Sequence, residues 1–191
     1  MKLILASSSP RRAEILRQAG LAFEARAPHV DESRQPDETA SDYVQRVARA
    51  KAGAAARSAQ GPEIIIAADT VVLIDGLILG KPASREEART MLRRLAGRTH
   101  EVLTGLAVLR LPDGKESHAE ERTLLTLAVL SEDEIDAYLA TGEPLDKAGA
   151  YAIQGRGARF VTRVEGNYFN VVGLPLARLC VILKELGWQD S

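Results

Sequence analysis

The first twenty residues, MKLILASSSPRRAEILRQAG, constrain the fold most, because they join a strand pattern to a helix pattern through a short turn. Residues 3–6 have the apolar pattern of a short buried strand. Ser9 is a typical helix N-cap, Pro10 suits the first helical position, and Gly20 suits the residue after the helix. We therefore predict a helix over residues 10–19. A strand followed directly by a helix is typical of βαβ units and favours an α/β fold.

The rest of the chain continues this alternation and adds hairpins. The further predicted elements are a short FEARA strand, helices over 40–59, 84–96, 131–140 and 176–186, a strand over 63–68, and hairpins turning at Asp75-Gly76, Asp113-Gly114 and Glu165-Gly166-Asn167. Together they predict an α/β fold with a mixed, twisted β-sheet and helices on both faces. We expect a single domain over residues 1–191, with two lobes around a central cleft.

Composition excludes several classes of protein. The formal net charge of −1 gives no overall positive excess for a nucleic-acid backbone or an anionic membrane. A single cysteine, Cys180, excludes an intramolecular disulfide. The apolar run at the N-terminus is too short for a secretory signal, and no apolar run approaches the roughly 20 residues of a membrane span. We expect a soluble, cytoplasmic protein without nucleic-acid or membrane partners.

The turn ASSSPRR places two arginines, Arg11 and Arg12, at the positive end of a helix. Cations there are mildly unfavourable, by a few tenths to about 1 kcal/mol. A bound phosphate would reverse that sign, because backbone NH groups, the hydroxyls of Ser7 and Ser9, and guanidinium groups all favour an oxyanion. The turn is either an anion site or a plain serine cap followed by two solvated arginines.

Asp69 directly follows the apolar run EIIIAA and precedes Thr70. Functional groups in α/β sheets gather beyond the carboxyl ends of strands. A carboxylate in such a partly desolvated place needs a cation, a metal or a substrate proton as its partner. We interpret Asp69 as a general base or a metal ligand, with a turn-forming aspartate as the alternative.

Other candidates are weaker when each is taken alone. Lys51 falls on or beside the apolar stripe of its helix, where a lysine usually extends outward to water. Lys81, between Gly80 and Pro82, has the alternative of an ordinary loop lysine. Glu32 lies in a polar loop and indicates nothing by itself. Gln154 begins a glycine-containing loop, QGRG, in which the backbone can approach a ligand or simply enter the next strand.

Six sequence pieces, taken in order, resemble one family, the Maf proteins, also called septum formation inhibitor proteins. The pieces are LASSSPRR at 5–12, AADTVV at 67–72, LGKP at 79–82, AGRTHEVLTG at 96–105, EPLDKAGAYAIQG at 143–155 and EGNYFNVVGLPL at 165–176. They span nearly the whole chain. The resemblance implies a Maf/ITPase-like fold and a nucleoside triphosphate pyrophosphatase, which releases a nucleoside monophosphate and pyrophosphate with the help of a divalent cation.

The resemblance also implies roles for individual residues. Arg12, Thr70 and Gln154 match the positions that set substrate choice in the dTTP/UTP branch of the family. We expect Ser7, Ser9, Arg11 and Arg12 to cradle the phosphates and Thr70 and Gln154 to contact the pyrimidine.

The remaining roles concern catalysis, the metal and assembly. Asp69, Lys51 and Lys81 would be catalytic, and Glu32 with Asp69 would hold Mg²⁺ or Mn²⁺. The resemblance suggests a homodimer and a role in nucleotide house-cleaning or cell division. The alternative is a nucleotide-binding regulator of septum formation that does not need turnover.

Overall fold

The computed structural model describes residues 1–189, which form seven β-strands, six α-helices and three short 3₁₀ turns. The strands are β1 (Lys2–Leu5), β2 (Phe23–Ala25), β3 (Glu63–Ile74), β4 (Leu77–Leu79), β5 (Thr99–Arg110), β6 (Lys115–Leu127) and β7 (Val161–Glu165). The helices are α1 (Pro10–Gln18), α2 (Ala40–Ala56), α3 (Arg85–Leu95), α4 (Glu132–Ala140), α5 (Tyr168–Val172) and α6 (Leu176–Glu185). The 3₁₀ turns span Glu143–Asp146, Ala148–Ala150 and Gly155–Phe160.

The strands form one mixed sheet in the order β2-β1-β3-β5-β6-β7, and β4 pairs with β3 outside this path. β1 runs parallel to both β2 and β3, so that Leu3 lies opposite Phe23 on one side and Ile64 on the other. Parallel neighbours need crossover connections, which α1 and α2 supply here. The pairs β3–β4 and β6–β7 are antiparallel. The predicted α/β class with a mixed sheet and a βαβ beginning is confirmed.

The chain divides into two compact units. The first contains residues 1–69, 104–121 and the described residues from Gly173 onward; the second contains residues 70–103 and 122–172. Among residues 1–189, no helix combines the length and the apolar composition of a membrane span. The predicted central cleft stays a prediction.

In the first unit, α2 packs closely because its buried face is built from small residues. Ala48, Ala52 and Ala55 of α2 join a core cluster with apolar residues of β1, β3 and β5. A Cβ at Gly105 of β5 would lie 2.6 Å from the backbone carbonyl carbon and oxygen of Val44. Because real Cβ atoms do not approach so closely, only glycine allows β5 and α2 to pack at this distance.

In the second unit, α3 and α4 cover a core that includes Leu92, Leu95, Ile135, Tyr138 and Phe160. Both helices begin at the predicted serines. The Ser84 hydroxyl accepts from the NH of Glu87 at 3.1 Å, and the Ser131 hydroxyl accepts from the NH of Glu134 at 3.2 Å. These bonds satisfy NH groups that have no partner inside the helix.

The hairpin turn at Asp75-Gly76 is confirmed, since both residues have positive φ, 52° and 74°, as a type I′ turn requires. The predicted break between a strand over 63–68 and the hairpin is wrong. β3 continues through Asp69 to Ile74, so Asp69 lies inside a strand and not at its end.

The third predicted hairpin, around Glu165-Gly166-Asn167, is also wrong. β7 ends at Glu165, and residues 168–172 form α5. The Asn167 side chain accepts from the NH of Asn170 at 3.0 Å and so begins a helix. Thr123 exchanges hydrogen bonds of 3.1 Å with both the NH and the carbonyl of Asn167. These long-range bonds outweigh the β propensity of the following aromatic and β-branched residues.

Candidate active site

The turn between β1 and α1 is organised by two serines. The Ser9 side chain accepts from the NH of Arg12 at 3.5 Å, and the Ser9 NH donates to the Ser7 hydroxyl oxygen at 3.1 Å. The same Ser7 oxygen accepts from Arg12 Nη1 at 3.2 Å. Both of its acceptor positions are therefore used, and the hydroxyl can still donate one hydrogen bond. The helix N-terminus adds NH groups and a partial positive charge that suit an anion.

Arg12 is buried, with only 8% of its surface exposed. Two of its guanidinium nitrogens donate hydrogen bonds to other residues of the chain. Nε donates to the carbonyl of Gly173 at 2.7 Å, in addition to the bond from Nη1 to Ser7. Burial lowers the pKa of Arg12 below its ordinary value, while the negative charges of Asp69 and Glu32 oppose this shift. Arg12 therefore both braces the turn and places its charge near two carboxylates. Neither role was visible in the sequence.

Arg11 differs from Arg12 in its surroundings. It is the second residue of α1 and half-buried. Its positive charge is close enough to Arg12 to lower the pKa of that guanidinium further. The two arginines predicted to bind phosphate are therefore electrostatically coupled.

Lys51 joins two of the predicted carboxylates. Its Nζ lies 2.8 Å from Asp69 Oδ1 and 3.1 Å from Glu32 Oε1. The Lys51 and Asp69 side chains are each 10% exposed, whereas that of Glu32 is 53% exposed. The usual expectation for a lysine beside an apolar stripe, extension outward to water, is wrong here. Lys51 stays buried because two carboxylates compensate for the lost hydration of its ammonium.

The sheet explains why Asp69 lies near the serine turn. The last register pair of β1 and β3 is Leu5 with Ile66, and the NH of Ala6 donates to the Ile66 carbonyl at 2.8 Å. Beyond that point the chain leaves the sheet toward Ser7, while β3 continues to Asp69. Asp69 thus extends past the carboxyl end of β1, although it is not at the end of its own strand. The region beyond the carboxyl end of a strand is where functional groups gather in α/β sheets, and the functional role of Asp69 stays a prediction.

The loop that carries Glu32 is attached to α2 by side chains that sequence reasoning missed. The Tyr43 hydroxyl donates to the backbone carbonyl of Glu32 at 2.9 Å, and Arg46 Nη2 donates to the carbonyl of Ser33 at 2.9 Å. Arg46 also binds the buried carboxylate of Glu38 through Nε at 2.5 Å and Nη2 at 3.0 Å. The spacing of Tyr43 and Arg46 on one helix face is the only sequence signal for this attachment.

The other three predicted residues belong to the second unit. Thr70 follows Asp69 in β3 and is half-buried. Lys81 is exposed, and the preceding residue, Gly80, accepts a backbone bond of 3.0 Å from Gly149. Gln154 is exposed and immediately precedes the 3₁₀ turn Gly155–Phe160.

Glu32 and Asp69 fit a divalent cation only if water and substrate phosphates supply its other ligands. Carboxylate oxygens of Glu32 and Asp69 both contact the Lys51 ammonium, so they face the same position. Within residues 1–189, no group of three or more His, Cys, Asp and Glu side chains could hold a metal ion. Two carboxylates suffice for a magnesium-like ion whose other ligands are water and substrate phosphates. The pair fits that kind of site and not an all-protein cage.

The sequence profile of the family described as Maf-like protein matches residues 2–186. The chain belongs to the Maf-like protein family. This Maf-like chain is 49% identical to a relative from Symbiobacterium thermophilum, over 98% of the chain and 95% of the relative. It is 51% identical to relatives from Anaeromyxobacter dehalogenans strain 2CP-C and Geobacillus sp. strain WCH70, over 98% of the chain and 95% and 99% of the relatives. All three relatives are named dTTP/UTP pyrophosphatase.

The fold of the Maf-like chain is similar to that of a solved structure, the Ham1 protein of Staphylococcus aureus. The TM-score is 0.51 at 14% sequence identity, covering 97% of this chain and all of the other. At this identity the similarity concerns the fold alone.

Proposed function

We propose that the chain hydrolyses dTTP and UTP to the nucleoside monophosphate and pyrophosphate. The observation that carries this proposal is sequence identity. About half of the residues, over nearly the full length, are identical to those of relatives named dTTP/UTP pyrophosphatase. The contact of the buried Lys51 ammonium with Asp69 and with the more exposed Glu32 supports it, because titratable groups that meet in this way are candidates for catalytic roles.

In the proposed reaction, water attacks the α-phosphorus and pyrophosphate leaves. Asp69 accepts the proton of that water, and its contact with Lys51 keeps the carboxylate oriented. Lys51 then lies where negative charge develops on the phosphate oxygens. The turn with Ser7, Ser9 and Arg11 would bind the phosphate chain through hydroxyl, NH and guanidinium donors.

Mg²⁺ or Mn²⁺ is the proposed cofactor, with Glu32 and Asp69 as its protein ligands. Bound there, the cation would neutralise phosphate charge and polarise the attacked phosphorus.

Recognition of the base is proposed for Thr70 and Gln154, and Arg12 is proposed to contribute to substrate choice. Thymine and uracil share a carbonyl at C4 and an NH at N3, while cytosine presents an amino group and an unprotonated nitrogen. A glutamine amide can donate to the first and accept from the second of the thymine or uracil groups. Lys81 would add positive charge for the leaving pyrophosphate.

The central test is pyrophosphate release from a panel of nucleoside triphosphates with Mg²⁺ or Mn²⁺. Wild type should prefer dTTP and UTP, and Asp69→Asn should lose nearly all turnover. Asp133→Asn, an exposed aspartate of α4, is the matched control and should behave as wild type. Absence of release by the wild type, with nucleotide binding retained, would favour a regulator that only binds nucleotides.

Two further properties complete the proposal, a homodimer and a cytoplasmic location. Both can be measured directly. Light scattering on the purified chain gives the mass in solution, for which about twice 20.6 kDa is expected. Cell fractionation with an antibody gives the location.

A further inference from the structure

Glu143 is bound by three donors from two distant parts of the second unit. Its Oε1 accepts from the Tyr138 hydroxyl at 2.8 Å and from the NH of Gly157 at 3.0 Å. Its Oε2 accepts from the NH of Arg156 at 3.0 Å. The carboxylate therefore ties the C-terminal part of α4 to the backbone immediately after Gln154.

Two glycines of the loop lie very close to this carboxylate and to Tyr138. Gly155 has a φ of 68°, and a Cβ there would lie 2.6 Å from Glu143 Oε2. A Cβ at Gly157 would lie 2.5 Å from the Tyr138 hydroxyl and from the carbonyl of Ala152. Both glycines of the QGRG loop are thus needed for the loop to lie against Glu143 and Tyr138.

The loop is fixed on both sides of Gln154. Before it, the NH of Ala152 donates to the Tyr138 hydroxyl at 3.2 Å; after it, two NH groups bind Glu143. Tyr138 is fully buried, so the anchor is rooted in the core of the unit. Gln154 itself remains exposed, on a short segment with hydrogen bonds to Tyr138 before it and to Glu143 after it.

The charge state of Glu143 suits this role. Burial would raise its pKa, but the NH groups of Arg156 and Gly157 and the Tyr138 hydroxyl lower it, and the net shift is downward. Glu143 is therefore ionised at neutral pH and offers acceptors only. A glutamine of the same shape would place an NH₂ group opposite a donor and lose at least one of the three bonds.

We propose that Glu143 is a positioning residue for base selection, which holds the loop so that Gln154 meets the C4 carbonyl and N3 of a pyrimidine in one conformation. The inference rests on the proposed role of Gln154 in the reaction above. The direct contact with the base belongs to Gln154; Glu143 acts only through the loop.

The test compares binding of the non-hydrolysable α,β-methylene analogues of UTP and CTP by calorimetry, which does not depend on turnover. Glu143→Gln should reduce the preference for the UTP analogue several-fold, up to about tenfold, because the loop would hold Gln154 less firmly; tenfold corresponds to about 1.4 kcal/mol. The turnover of UTP should fall by a smaller factor than the preference does. Hydrogen exchange of the amides at 156 and 157 should become faster.

Two variants provide the controls. Glu185→Gln changes an exposed glutamate of α6 and should keep both the preference and the exchange rates. Tyr138→Phe removes both the donor to Glu143 and the acceptor of the Ala152 NH, and should weaken the preference in the same direction. This variant keeps the inference testable if Glu143→Gln proves poorly folded.

Two results would overturn the inference, and they are distinguishable. If Gln154→Ala abolishes the preference while Glu143→Gln and Tyr138→Phe both retain it, loop positioning by Glu143 is wrong. If Gln154→Ala also retains the preference, base recognition by Gln154 is wrong and the inference falls with it, while pyrophosphate release by wild type shows separately whether hydrolysis stands.

Discussion

The Nζ of Lys51 lies 2.8 Å from Oδ1 of Asp69, and each side chain keeps only about a tenth of its exposure. Few buried ion pairs add much to stability relative to apolar residues, but removal of one partner leaves an uncompensated charge. The pair therefore links the stability of the first unit to the integrity of its proposed catalytic group.

Lys51→Met should destabilise the protein by about 3 kcal/mol, because Asp69 would remain buried without its cation. Turnover should also be lost. Urea unfolding measures the first effect and pyrophosphate release the second. The double variant Lys51→Met/Asp69→Leu should regain much of the stability and none of the activity. A single variant as stable as wild type would show that the ion pair does not compensate a buried charge.

Arg12→Lys should cost about 1–3 kcal/mol, although it keeps the positive charge. A lysine ammonium cannot replace the separate bonds from Nε to the Gly173 carbonyl and from Nη1 to Ser7. Thermal unfolding checks this loss against Arg17→Lys, an exposed position on the same helix, where less than about 0.5 kcal/mol is expected. Equal effects at the two positions would mean that the buried bonds contribute little.

Gly105→Ala should destabilise the first unit by about 1–3 kcal/mol or more, because β5 and α2 must move apart. The same displacement shifts Lys51 on α2, so turnover should fall as well. Gly53→Ala is the matched control on α2 itself. A Cβ there meets nothing within 4 Å, and a helix interior favours alanine by about 0.5–1 kcal/mol. Opposite signs at the two glycines are the expected result in urea unfolding.

The ion pair of Glu38 and Arg46 should make stability depend on acid pH. The hydrogen bond from Arg46 lowers the pKa of Glu38 from 4.5 to about 2. A lowered carboxylate pKa stabilises the folded state above the unfolded value, and this contribution is lost as pH falls from about 4.5 toward 2. The difference in unfolding free energy between wild type and Glu38→Gln should therefore be largest at neutral pH and shrink through that window. A difference that is constant down to pH 3 would contradict the assignment.

Local signals in the sequence were sufficient for most of the fold. Ser9, Ser84 and Ser131 cap the predicted helices, and Asp75-Gly76 turns the predicted hairpin, since each depends on neighbours within about four residues. The exception at Asn167 arises because Thr123, which is 44 residues away, determines its backbone.

The candidate site was predicted less completely, because its contacts are long-range. Asp69 and the serine turn have local patterns, whereas the pairing of Lys51 with Asp69 depends on α2 packing across the sheet. Glu32 had no signal of its own, since its position beside Lys51 depends on the attachment of its loop to Tyr43 and Arg46. The Glu143 anchor was likewise hidden, because a glutamate in a loop gives no indication of which NH groups it will meet.

Lys51 and Arg12 carry two positive charges, and Asp69 and Glu32 carry two negative ones, within mutual electrostatic reach. A substitution that removes the charge of Lys51, Arg12 or Asp69, which are all buried, leaves an unbalanced charge in a poorly hydrated place. Natural variation at these four positions should therefore be correlated. A homologue that lacks one of these charges should also lack an opposite charge, or should differ at all four positions. The four residues should therefore vary together among homologues.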